Sequence, residues 1–148
     1  MTWDNIVKWL AAAAGVVAGL FGGWDTMIMV LVACMVIDYI SGCVVAAMGR
    51  SQKTESGGLD SKIGFIGLAK KMLILLAVLL GALVDRVIGQ PVFRSMVIWF
   101  YIANEALSIL ENLALAGVAF PEGMKKALEQ IKSRNTDPPD GFSEIDKE

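Results

Sequence analysis

The chain has 148 residues, 55% of them apolar and only 19% charged, with a mean hydropathy of +0.59; a soluble domain of this size carries more polar surface. Thirteen basic against fifteen acidic side chains give a formal charge of −2, so the basic excess of an electrostatic nucleic-acid binder is missing. Histidine is absent, which removes the commonest general base and zinc ligand. Nothing sets a nucleophile beside a recognisable base, so no catalytic residue, cofactor or metal site is assigned.

Charge placement divides the chain. No charge falls between Trp9 and Trp24, and only Asp38 falls between Met27 and Arg50. The first segment, 6–24, is marginal: its charge-free core is about 24 Å long as a helix, against a bilayer core of about 30 Å. It either spans or lies in the interface, where Trp3, Trp9 and Trp24 would anchor it. Its start, Met-Thr-Trp-Asp-Asn, is not the basic region of a signal peptide. The second segment is 26–48, where Cys34 and Cys43 lie too far apart along one helix for a disulfide. A polar connection, 49–64, contains Ser56-Gly57-Gly58 and reads as a flexible loop. The third and fourth segments are 65–88 and 92–118, each long enough to span.

Arg50, Lys53, Lys62, Lys70 and Lys71 flank the second connection, and Lys125, Lys126, Lys132 and Arg134 follow the last segment. The positive-inside rule places both regions in the cytoplasm. The turns at Gly22–Asp25 and Gly89–Pro91 then face outward, with Arg86 and Arg94 mildly opposing the rule. Residues 121–134 form an amphipathic helix, with Met124, Leu128 and Ile131 on one face, suited to an anionic inner leaflet. Residues 135–148 read as a disordered acidic tail. The expected fold is an all-α integral membrane protein of about four transmembrane helices, with both termini inside.

Acids at membrane depth are costly, about 2.5 to 3.5 kcal/mol at a helix centre, and so face protein, water or each other. Asp38, Asp85, Glu105 and Glu111 stand at or near that depth. Asp38 and Asp85 are candidates for intramembrane pairing or assembly together with Lys70 and Lys71. Lys71 and Asp85 are about 21 Å apart on one helix, so those two cannot pair within a subunit. In the fourth segment Asn104, Glu105, Ser108, Glu111 and Asn112 fall at about 0°, 100°, 40°, 340° and 80°, a stripe about 120° wide. The stripe lines an aqueous path, forms a polar seam between subunits, or closes hydrogen bonds within a bundle. Gly15 with Gly19, Gly42 with Ala46, and Ala77 with Gly81 repeat a small-residue spacing suited to helix packing.

Asp38 with Ser41 and Gly42, then Gly64, Gly67, Lys70 and Lys71, then Asp85, then the run Asn-Glu-Ala-Leu-Ser-Ile-Leu-Glu-Asn at 104–112 with Gly117 and Pro121, resembles the toxin-secretion/phage-lysis holin family over roughly residues 25 to 130. The resemblance implies a multi-pass protein of the bacterial cytoplasmic membrane that homo-oligomerises into lesions. Endolysin would leave as cargo, or a toxin in relatives; an antiholin is a possible partner. Two other roles stay open on the residues alone: a small ion-channel or transporter subunit, and an antiholin-type regulator.

Overall fold

A computed structural model describes residues 2–124 and 126. Up to Ala116 the chain forms four helices in sequence: α1 (Trp3–Leu20), α2 (Thr26–Ala47), α3 (Ser61–Ile88) and α4 (Phe93–Ala116). The described residues contain no strand, and a further helical turn starts at Glu122. The proposed tail, and most of the amphipathic helix expected before it, lie outside the described residues.

Short polar side chains set the helix starts. Asp25 accepts from the Ile28 amide at 3.1 Å and opens α2; Asp60 accepts from the Ile63 amide at 3.0 Å and opens α3. Each satisfies one of the amide groups that a helix start leaves unpaired. The Asp60 cap is why α3 begins at Ser61 rather than at 65, giving 28 residues, about 42 Å. Gly89 ends α3 with φ +76°, a left-handed conformation that glycine adopts without steric cost. α1 stops at Leu20, ahead of Gly22 and Gly23, both with positive φ. The α2–α3 connection, expected to be flexible, is closed on itself: the Ser51 amide donates to Gly57 O at 2.9 Å and Thr54 Oγ1 to Gly58 O at 3.0 Å.

The core is one stripe from each of three helices. Ile28, Leu31 and Met35 of α2 meet Ile74 and Val78 of α3 and Ile98 of α4. α3 and α4 approach closely at Gly81, where a Cβ would come 3.0 Å from Arg94 Cα. Many of the other large apolar side chains point outward; Leu73 and Leu80 of α3 are 63% and 62% exposed. A soluble fold would bury such residues, whereas a helix facing acyl chains presents them. α2 and α3 are both long and apolar enough to cross a bilayer. α1 buries none of its residues.

Candidate functional site

Three helices converge on a charged cluster. Lys71 of α3 donates from Nζ to Asp38 Oδ2 of α2 at 2.6 Å and also to Glu105 Oε2 of α4. The side chains of Lys71, Asp38 and Glu105 are 12%, 12% and 8% exposed. One α-helical heptad beyond Glu105, Asn112 donates to Asp38 Oδ1 at 3.1 Å, to Asp38 O at 3.2 Å and to Ser41 Oγ at 2.9 Å. Ser41 Oγ donates in turn to Asp38 O at 3.0 Å. Among the described residues no buried side-chain nitrogen or oxygen lacks a partner, as burial in low dielectric requires. Two carboxylates around one ammonium give the cluster a formal charge of −1.

The polar stripe of α4 is thereby split. Glu105 and Asn112, at its inner edge, are buried in the cluster, whereas Asn104 and Glu111, at its outer edge, are exposed. Ser108 lies between, half-buried. Beside the cluster a partly open cavity of about 720 Å³ runs up to the α2–α3 loop, lined by Tyr39, Gly67, Lys70, Tyr101, Asn104 and Ser108 among others. Lys70 is exposed there while its neighbour Lys71 turns inward.

Asp85 has a different task from intramembrane pairing. Its carboxylate accepts from the amides of Val92, Phe93 and Arg94 at 3.1, 2.7 and 3.1 Å, which closes the α3–α4 turn and caps α4. Sequence reasoning missed Arg94, which is 8% exposed. It donates from Nε to Phe21 O at 2.6 Å, and through its guanidinium to Asp25 Oδ2 at 2.7 Å and Gly23 O at 3.2 Å. Arg86 donates to Gly19 O and Leu20 O. The two arginines that opposed the charge rule thus satisfy the carbonyls at the end of α1. The available signal was a pair of cations facing a Gly-Gly helix end. The Arg94 hydrogen bond chiefly holds the Asp25 carboxyl below its ordinary value of 3.8.

The glycines divide similarly. A Cβ at Gly42 would lie 3.6 Å from Asn112 Nδ2, and Gly64 and Gly67 stand against Tyr39. Around Gly15 and Gly19 nothing lies within 4 Å of such a Cβ. Among the described residues no group of three or more His, Cys, Asp or Glu is placed to hold a metal.

Described residues that form helices and no strand, with many large apolar side chains turned outward on two helices long enough to cross a bilayer, point to a membrane protein. The chain belongs to the bacteriophage holin family, whose model matches residues 15–133. It is 40% identical to an uncharacterised protein of Clostridium acetobutylicum, over 78% of this chain and 88% of that one. It is 35% identical to an uncharacterised 14.9 kDa protein of Clostridium perfringens, over 88% and 96%. To a probable holin of Bacillus phage phi105 it is 34% identical, over 80% and 82%. No solved structure matches the chain. The family points to a non-enzymatic membrane protein.

Proposed function

We propose that the protein is a holin with four transmembrane helices, both termini inside, that oligomerises in the bacterial cytoplasmic membrane and opens lesions through which endolysin leaves for timed host lysis. The observation that carries this reading is the split α4 stripe: Glu105 and Asn112 are sealed against Lys71 and Asp38, while Asn104 and Glu111 remain exposed. In a lone subunit the exposed edge faces lipid at a cost. Between subunits, or along a water-filled wall, that cost is relieved. Crowding therefore favours assembly, and a two-state exchange of contacts makes it abrupt.

The cargo sets the size. A folded enzyme of about 150 residues has a radius of gyration near 15 Å and a diameter near 40 Å. A wall of helices about 10 Å wide around such a hole needs on the order of 15 of them. A tight tetramer conducts ions and retains the enzyme.

The test is induction in bacteria with membrane potential and culture density followed through time, with and without an endolysin that lacks a signal sequence. Abrupt collapse of the potential, followed by lysis only with endolysin, is the expected result. Collapse without endolysin-dependent lysis overturns the lesion and leaves an ion-sized channel. With no collapse the chain is a regulator, and delay of a lytic partner on co-expression would identify an antiholin.

A further inference from the structure

α1 is anchored at one end and bare along the rest. Its hydrogen bonds to the bundle come at Gly19 and Leu20, from Arg86, and it buries no residue. Asp4 and Lys8, one helical turn apart on one face, are exposed and make no side-chain contact among the described residues. The cavity between α2, α3 and α4 has a charge pattern of its own. Its floor is the cluster of Asp38, Glu105 and Lys71, formally −1, and its rim carries the exposed Lys53 and Lys70, with Asp60 beside them.

These levels match. At 1.5 Å per residue, Lys8 lies about 18 Å below Leu20, Asp38 about 18 Å below Thr26, and Glu105 about 18 Å below Phe93. Asp4 lies about 24 Å below Leu20, and Lys70 about 22 Å below Asp85, the residue that marks the outer start of α4. A helix α1 laid against the cavity mouth therefore sets Lys8 at the acidic floor and Asp4 at the basic rim. Gly42, Gly64 and Gly67 are among the residues lining the cavity. The cavity accepts the side chains of one helix face and is too small for a whole helix about 10 Å across.

We infer that α1 of one copy docks along the cavity between α2, α3 and α4 of the next copy, Lys8 against the Asp38–Glu105 floor and Asp4 against Lys70. Because the two surfaces differ, the contact is head-to-tail, and such contacts propagate into rings or open arrays rather than stopping at a dimer. This rests on the proposed assembly and topology and supplies their contact. The occupant is a second copy: a helix running in the same direction at the same depth presents both charges in register, and no residue of the chain's own α1, held at Gly19 and Leu20 by Arg86, lines the cavity.

The test uses the full chain in bacterial membranes. One copy carries Asn5→Cys with Cys34→Ala and Cys43→Ala; the other carries Cys34→Ala and keeps Cys43, which lines the cavity. The copies bear different epitope tags and are treated with an oxidant or a short bismaleimide. A doubly tagged dimer is expected. Lys8→Glu in the first copy lowers its yield about tenfold, equivalent to about 1.4 kcal/mol, and Lys8→Arg preserves it. An unchanged yield with Lys8→Glu overturns the charge pairing. No mixed dimer, with an amine-reactive cross-linker still giving a ladder of oligomers on the same membranes, overturns this contact and spares the assembly. If the ladder is missing too, the assembly reading fails with it. An intrachain link alone, in a chain holding both cysteines, overturns the second copy as occupant.

Discussion

At the residue scale the arrangement turns on Lys71. It stands between two carboxylates that share little solvent, and removing one partner of a buried ionic group leaves uncompensated charge. Lys71→Met is expected to destabilise the fold by about 3–5 kcal/mol, read as loss of helicity on heating or denaturation in detergent, with Lys71→Arg much milder. Glu111 is the opposite case, because its carboxylate is exposed and outside the cluster. Glu111→Gln should leave thermal stability unchanged while shifting lysis timing; an unchanged lysis time would sink a charged lining.

Asp25 gives the pH dependence. Its carboxyl is held below the ordinary 3.8, chiefly by Arg94, so the pairing contributes stability at pH values above 3.8, which is lost as pH falls through the lower folded value. Asp25→Asn retains a capping side chain and removes the ion pair. Wild type should be the more stable at pH 7, with the gap closing below the ordinary value. The carboxylate is 47% exposed, so solvent screening keeps the gap small.

At the element scale, close approach and helix ends decide the packing. α3 reaches α4 at Gly81, where added atoms meet the Arg94 backbone. Backbone cannot swing aside as a flexible side chain does, so Gly81→Val should cost about 1–3 kcal/mol through overpacking, visible as a lower Tm in detergent. Gly15→Ala has nothing within 4 Å to meet and should leave the Tm of the dispersed chain unchanged or slightly raised, since alanine is the better helix former. The helices themselves were legible, because uncharged runs act locally. The α3 start needed the Asp60 cap, whose geometry a hydropathy pattern does not contain.

For the whole molecule, the proposed topology places Gln90 outside and Glu55 inside. With Cys34 and Cys43 replaced by Ala, Gln90→Cys should react with an impermeant maleimide in intact cells, and Glu55→Cys only after permeabilisation. Outside labelling of Glu55→Cys would reverse the orientation. A bundle with so many large apolar side chains on its surface has little reason to stay in water, and in the proposed assembly the exposed edge of α4 is what a second copy would cover.

Sequence alone determined the helical class, the long apolar segments that became α2 and α3 among the four expected, and the presence of polar groups that had to find partners. These follow from composition and from one-dimensional periodicity, which depend only on neighbours along the chain. Which polar groups met was decided by the tertiary structure: Lys71 rather than Lys70 turned inward, Asn112 reached Asp38, Asp85 capped α4, and Arg94 crossed to the end of α1. Lys71, Asn112 and Arg94 reach partners more than thirty positions away, which meet only once helix rotation and crossing are fixed. Asp85 reaches amides seven to nine positions on, once the turn at Gly89 folds the chain back. A wide polar stripe gives no preference for either edge until the helices on both sides close around one of them.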